Sequence, residues 1–185
     1  MGDPKKKHKR YTTPKRPYDQ DVLTEELRLL GAYGLRNKRE LWRNRTHLSR
    51  IRRMARQKLS MDPIERAKGE REMVRKLHSL GLVDEKATLE DILGLSIEDL
   101  LERRLQTVVY RRGMAKSLFQ ARQLITHGHI SIGGRKARAP SYLVTLEDGA
   151  QLEYAGSSPL ANKGHPLRQE FTVSEIMGGD RNGQQ

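Results

Sequence analysis

The chain has 185 residues, with 36 Lys and Arg against 23 Asp and Glu, so its formal net charge is +13 at pH 7. That length suits one domain or two small ones. No apolar run approaches the roughly 18 residues of a membrane-spanning helix, and no apolar segment follows the charged N-terminus as in a secretory signal. The absence of cysteine excludes disulfides, thiol catalysis and cysteine-ligated zinc.

The charges are segregated along the chain. Residues 1–60 carry 18 basic and 6 acidic side chains and residues 101–140 carry 9 and 1, whereas residues 61–100 carry 6 and 10. Two basic blocks separated by an acidic one create fields that attract polyanions. Nucleic acid is favoured over a membrane, because the basic helices lack the broad apolar face of interfacial helices. On charge alone, DNA stays open beside RNA.

The N-terminal half predicts a flexible arm followed by helices. Residues 1–20 are poor in apolar side chains and predict a basic arm that is disordered in isolation. Helical periodicity starts near Asp21, and Asn37 with Glu40 is a capping-box signal for an arginine-rich helix. The apolar stripe of that helix is narrow, and most of its arginines fall outside it.

A further helix is predicted in the acidic middle of the chain. Asp62 is its expected cap and Pro63 its first residue, and Gly81 is a plausible end. With the two helices before it, this segment predicts a helical N-terminal domain over residues 21–96.

Residues 97–155 predict a small α+β module. One helix is expected over 97–112, followed by a shorter helix capped by Ser117. A strand then enters a Gly133-Gly134 hairpin turn, and YLVTLEDGAQLEY predicts two more short strands. The remaining residues, 156–185, are expected to form a C-terminal extension or tail. The predicted fold class is therefore α+β, mainly helical, with short antiparallel strands.

The start of the helix capped by Ser117 is a candidate phosphate site. Arg111, Arg112 and Lys116 precede it closely, so the helix dipole, the backbone N–H groups and the cations would act on one anion. No row of aromatic residues offers a platform for single-stranded bases. The pattern therefore favours folded, double-helical RNA that is recognised by its backbone.

No catalytic constellation is visible. His127 and His129 lack an obvious third ligand, which is weak support for a metal. No nucleophile has an identifiable base, and no phosphate-cradling loop follows a strand. The sequence predicts no enzyme activity, no metal and no cofactor.

Residues 103–144, RRLQTVVYRRGMAKSLFQARQLITHGHISIGGRKARAPSYLV, resemble the small RNA-binding domain named after ribosomal protein S-four. The stretches YTTPKRPYDQDVLTEELRLLGAYGLRNKRELWR and ILGLSIEDLLERRLQT resemble the archaeal and eukaryotic type of that family. The resemblance covers about residues 11–154. It is specific because RNA-modifying enzymes that carry the domain lack this N-terminal half.

The resemblance implies a structural protein of the small ribosomal subunit in the cytoplasm. Such proteins bind small-subunit rRNA early in assembly, at a helix junction of the 5′ domain, and contribute to decoding accuracy. The implied partners are that rRNA, other small-subunit proteins and mRNA near the entry channel, with no membrane. Some bacterial relatives carry a cysteine zinc site, which a chain without cysteine cannot form.

The resemblance also implies which residues contact RNA. In the module, phosphate and sugar contacts are expected from Arg104, Arg111, Arg112, Lys116, Ser117, Arg122, His129, Arg135 and Lys136. In the arginine-rich helix, the expected contacts are Lys38, Arg39, Arg43, Arg45, Arg50, Arg53 and Arg56.

Two alternatives stay open. One is a free RNA chaperone or heat-shock factor that uses the same module. The other is a fragment of an RNA-modifying enzyme, although few residues remain after the module for a catalytic domain.

Overall fold

The computed structural model describes residues 9–166 and residue 168, so most of the predicted tail and residues 1–8 of the arm lie outside the described part. The chain divides into two compact units. The first comprises the described residues up to Met73 together with Ala87–Ile97. The second comprises Val74–Lys86 and the described residues from Glu98 onward. The fold is α+β and mainly helical. Within the described part, no helix is both long and apolar enough to cross a membrane.

The first unit is built from helices. They are α1 (Gln20–Ala32), α2 (Lys38–Leu59), the beginning of α3 (Pro63–Ser79) and α4 (Leu89–Gly94). The predicted cap of α2 is confirmed, because Asn37 Oδ1 accepts the Glu40 N–H at 3.2 Å. The predicted apolar stripe is also confirmed. Its buried members on α2 are Leu41, Leu48, Ile51 and Ala55.

Helix α4 was not anticipated from the sequence. Its N-terminus is closed by a capping box in which the Thr88 N–H donates to Asp91 Oδ2 at 2.8 Å. Leu89 and Ile92 are buried, and α4 packs on α2. The acidic middle of the chain therefore supplies part of the core of the first unit.

The second unit packs short helices on a small sheet. Its elements are α5 (Ile97–Glu102), α6 (Leu105–Arg111), α7 (Leu118–Thr126), β1 (Ile130–Ile132), β2 (Arg135–Lys136), α8 (Leu146–Ala150), β3 (Leu152–Tyr154) and a 3₁₀ turn at Pro159–Ala161. The sheet is antiparallel with strand order β2-β1-β3. One core cluster joins α6, α7, β1, β3 and the 3₁₀ turn, and it includes Leu105, Leu124, Ile125 and Ile130.

Two predictions for this unit are confirmed. Ser117 Oγ accepts the Gln120 N–H at 3.2 Å and caps α7. The β1–β2 hairpin turns at Gly133 and Gly134, whose φ angles are +54° and +76°. Positive φ at both central residues is the conformation of a type I′ turn, which glycine adopts without steric strain.

The prediction of one helix over residues 97–112 is wrong. The helix breaks between α5 and α6, because the chain from residue 142 to 144 pairs with the break. The Leu105 N–H donates to the Tyr142 carbonyl at 2.7 Å, and the Val144 N–H donates to the Arg103 carbonyl at 2.9 Å. Both bonds come from a segment some forty residues away in sequence.

The prediction of two strands in YLVTLEDGAQLEY is wrong in its first half. Residues 142–144 make only an isolated bridge, and Leu146–Ala150 forms the short helix α8. A capping box starts this helix, because Thr145 Oγ1 accepts the Asp148 N–H at 3.0 Å while Asp148 accepts from the Thr145 backbone. Only β3 is a strand.

The tyrosine that precedes α8 is expected to make the stability of the second unit depend on acid. Tyr142 Oη donates to Asp148 Oδ2 at 2.7 Å, and this bond lowers the pKa of the Asp148 carboxyl and raises that of the Tyr142 phenol. Because the folded pKa of Asp148 lies below its unfolded value, the bond stabilises the fold above about pH 4 and is lost as the pH falls through the folded pKa.

We therefore expect Tyr142→Phe to lower the free energy of unfolding at pH 6, and the difference from wild type to shrink between about pH 4 and 2. Urea unfolding followed by circular dichroism at several pH values measures it. A difference that stays constant over this range would contradict the role assigned to the bond.

Candidate nucleic-acid interface

Five exposed arginines lie along α2, and we call them the α2 arginines: Arg39, Arg43, Arg50, Arg53 and Arg56. At about 100° of rotation per residue, the first four lie within about 80° of one another, opposite the buried stripe. The set spans about 25 Å along the helix axis, since each residue adds about 1.5 Å. A row of guanidinium groups of this length can reach several phosphates of a nucleic acid backbone.

Two other cations predicted as RNA contacts on α2 are paired inside the protein. Lys38 Nζ lies 3.2 Å from Glu26 Oε2, and Arg45 contacts both Glu26 Oε1 at 3.5 Å and Glu25 Oε2 at 3.1 Å. Glu26 is only 1% exposed. Because a buried carboxylate needs compensating partners, these two cations are held against α1 and are less available than the α2 arginines.

Trp42 is a further partner of Glu26, and we call Glu26, Lys38, Trp42 and Arg45 the Glu26 cluster. Its Nε1–H donates to Glu26 Oε1 at 2.8 Å, and its ring lies 5.8 Å, centroid to centroid, from that of Tyr11. The Thr12 N–H donates to Thr46 Oγ1 on α2 at 3.0 Å. Residues 11 and 12 of the predicted arm are thus seated on α2 in the structure.

In the second unit, the N-terminus of α7 is capped by the side chains of Ser117 and Gln120. Ser117 Oγ accepts one first-turn N–H, and Gln120 Oε1 accepts the Lys116 N–H at 2.7 Å. The side chains of Lys116 and Ser117 are exposed beside this turn. Their cationic and hydroxyl groups can contact a phosphate there, and the backbone N–H groups satisfied within the cap are less available to it.

Arg122, also predicted as a contact, is half-buried. Its Nη1 donates to Gln106 Oε1 at 3.2 Å, while Gln106 Nε2 donates to the Leu118 carbonyl at 3.0 Å. Gln106 is fully buried, so this amide fixes α6 against the start of α7. Nothing in the sequence pattern marks Gln106 for this role, because its partners are 12 and 16 residues away.

Arg104, also predicted as an RNA contact, is buried in the module. It is only 2% exposed, stands at the N-cap of α6 and makes a backbone bridge with Leu143. Its side chain is therefore less available to a nucleic acid than the exposed cations of this unit.

Arg111 and Arg112 lie at the end of α6 and are both exposed. Arg111 Nη2 lies 2.9 Å from Glu102 Oε1 in an ion pair that is open to solvent. Arg112 passes over Gly149, where a Cβ atom would lie 3.5 Å from its Nη2. Both guanidinium groups border an open cavity of about 360 Å³ whose wall also includes Val108 and Leu146.

The hairpin adds further exposed cations. Arg135 and Lys136 lie on the edge strand β2, and Arg138 follows them. Arg138 was missed in the sequence prediction, although it belongs to the same basic run. His129 is half-buried, and its Nδ1 lies 2.9 Å from Ser158 Oγ, so this ring joins the module to the residues after β3.

The segment from Arg103 to Leu146 contains no Asp or Glu and nine Lys and Arg. Except for Arg104 and the partly buried Arg103 and Arg122, these cations are exposed. Cations in such excess over acids create a positive field that a polyanion would neutralise. Among the described residues, no group of three or more His, Asp or Glu side chains could hold a metal ion.

Comparison with known proteins agrees with this geometry. Residues 103–149 match the S4 domain, and this stretch lies within the second unit. The small ribosomal subunit protein uS4 of Ignicoccus hospitalis is 49% identical over 88% of this chain and 98% of its own length. The chain belongs to the uS4 family.

Other uS4 proteins are similarly close. The uS4 protein of Hyperthermus butylicus is 48% identical over 88% of this chain and 93% of its own. That of Thermoplasma acidophilum is 45% identical over 91% of this chain and 86% of its own. The similarity to uS4 therefore extends across both units and is not confined to the S4 domain.

The buried Glu26 cluster gives a test of which cations of this uS4 protein are structural. We expect Glu26→Gln to lower the free energy of unfolding by about 1–3 kcal/mol, because Lys38 and Arg45 lose a buried counter-charge while Trp42 keeps an acceptor. Urea unfolding followed by the fluorescence of Trp42, the single tryptophan, reports on this cluster.

Glu25→Gln is the matched control. Its carboxylate is about half exposed and pairs with Arg45 at the surface, so we expect a loss below about 1 kcal/mol. Equal losses in the two variants would show that burial of Glu26 does not organise the cluster.

Proposed function

We propose that this protein is a structural constituent of the small ribosomal subunit that binds small-subunit rRNA. Its relatives over nearly the whole chain are named small ribosomal subunit proteins, which supports a structural and non-enzymatic role. The proposed site of action is a helix junction of the 5′ domain, where binding would nucleate assembly of the body of the subunit and contribute to decoding accuracy. Its place is then the ribosome, in the cytoplasm.

The observation that carries the proposal is the basic surface of the S4 domain, which is formed mainly by the acid-free segment from Arg103 to Leu146. It combines exposed cations on α6, near the start of α7 and on β2 with a small, rigid core behind them. Exposed guanidinium groups and a hydroxyl suit phosphate and sugar oxygens. Among the described residues, no row of aromatic side chains lines the small sheet, which suits RNA that is recognised by backbone shape more than by splayed bases.

The proposed contacts follow exposure. In the first unit they are the α2 arginines, with Lys38 and Arg45 assigned a mainly structural part because of Glu26. In the second unit the proposed contacts are Arg111, Arg112, Lys116, Ser117, Arg135 and Lys136, with Arg122 and His129 at the edge of the surface. Neighbouring small-subunit proteins and mRNA near the entry channel are the further proposed partners.

A binding titration against two RNAs at several salt concentrations tests the proposal. One RNA is a 5′-domain fragment of small-subunit rRNA that contains the junction, and the other is a duplex of equal length. We expect a preference for the junction that persists as salt rises, because shape recognition adds to the charge term. Equal affinities that fall together with salt would instead favour a general RNA chaperone.

The exposed pair at the end of α6 gives a second test. We expect replacement of Arg111 and Arg112 by Ala to weaken junction binding and to reduce the slope of log K against log salt by about one to two units, since each phosphate contact contributes about 0.9. The same titration measures it.

Arg75 and Lys76 provide the matched control. Both are exposed on α3 in the acidic middle of the chain. Replacing them by Ala removes the same charge, and we expect the slope to stay within about half a unit of wild type. Equal slopes for the two double variants would remove Arg111 and Arg112 from the phosphate contacts.

A further inference from the structure

Phe119 is an aromatic residue that the core of the module does not use. It is the second residue of α7 and is 67% exposed. The opposite face of the same helix, with Ala121, Leu124 and Ile125, is buried. Because folding gains free energy from apolar surface removed from water, a ring left so exposed contributes little to the fold.

The surroundings of Phe119 are basic and polar. Arg122 lies one turn further along the same helix. Lys116 lies just before the cap, so a cation stands three residues to either side of Phe119 in the chain. The other side chains of α7 that reach solvent are Leu118 and Gln120 in part, Gln123 and Thr126, and of these only Leu118 is apolar. Phe119 also stands within the segment that contains no Asp or Glu.

We propose that Phe119 stacks on one unpaired nucleobase of the bound RNA, with Lys116 and Arg122 contacting phosphates on either side of that nucleotide. The inference rests on the proposed rRNA binding and adds a base contact to a surface that otherwise meets the backbone. A π face accepts any base, so one aromatic side chain suffices for one unpaired nucleotide without a sheet platform.

A protein partner fits this position less well. Hot-spot aromatic residues at protein interfaces are surrounded by a patch that excludes water, and charged residues are depleted at its centre. On α7, by contrast, only the partly buried Leu118 adds apolar surface beside Phe119, and the other exposed side chains are polar or cationic. Phosphates on both sides of a stacked base match that pattern of charge.

The proposed stacking contact predicts different effects on RNA affinity for two substitutions of Phe119. Phe119→Leu keeps an apolar side chain but removes the π face, so we expect the Kd for the junction RNA to rise about 5- to 140-fold. Phe119→Tyr keeps the ring and is expected to bind within about threefold of wild type. The salt slope stays unchanged in both, because a neutral side chain releases no counterions.

Ile64→Ala is the matched control for loss of exposed apolar surface. Ile64 is 87% exposed on α3, in the acidic middle of the chain, and its removal is expected to leave the Kd unchanged. Circular dichroism melting of each variant checks that the fold is intact. Ultraviolet cross-linking without added linker, followed by mapping of the peptide, is expected to join wild-type residue 119 to one nucleotide and to lose that link in Phe119→Leu.

The outcomes separate the two proposals. If the Arg111 and Arg112 double variant weakens binding but Phe119→Leu binds as wild type and the cross-link is absent, rRNA binding stands and stacking is overturned. A protein would then be the partner of Phe119 to test. If the wild-type protein shows no preference for the junction over the duplex, the proposed function fails, and the stacking inference fails with it.

Discussion

The buried carboxylate of Glu26 sets the constraint on which the first unit depends. A carboxylate removed from water must be neutralised and hydrogen-bonded, and α2 supplies the partners through Lys38, Trp42 and Arg45. These three contacts fix the rotation of α2 about its own axis against α1. Since the rotation is fixed, the α2 arginines are left on the opposite side, exposed and aligned. The same helix therefore uses some cations to hold the fold and presents the rest to a polyanion.

In the second unit, the buried polar group that joins two helices is neutral. Gln106 is fully buried, and its amide both donates to the Leu118 carbonyl and accepts from Arg122. An amide can satisfy both demands without the desolvation cost of an ion, so α6 and α7 are joined at a fixed angle. That angle determines where the end of α6 and the start of α7 present their exposed cations. In each unit, then, one buried polar side chain decides which part of a basic helix faces outward.

Local features could be predicted from the sequence, and features with distant partners could not. The caps at Asn37 and Ser117 and the Gly133-Gly134 turn depend on residues within a few positions, and all three are confirmed. The break before α6 depends on a segment near Tyr142, so a continuous apolar pattern concealed it. At α8, a hairpin signal and a capping box overlap in the same residues, and the capping box is the one that forms. The same limit applies to the availability of the cations. Periodicity places the α2 arginines on one face, but it cannot show that Lys38 is paired or that Arg104 is buried.

A cation paired with an acidic side chain can exchange that partner for a phosphate only if the acid tolerates the loss. The burial of the acid determines whether it does. The Arg111–Glu102 pair is open to solvent, where such pairs stabilise by about 0–1 kcal/mol, so Arg111 can leave Glu102 for RNA at little cost. Lys38 cannot leave as readily, because its departure would strip a counter-charge from a carboxylate that is only 1% exposed. Two cations that look alike in the sequence thus differ in availability because of their acids. We therefore expect two groups of cations to be available to RNA. One consists of cations whose acidic partners are exposed, and the other consists of the exposed cations in the acid-free segment from Arg103 to Leu146.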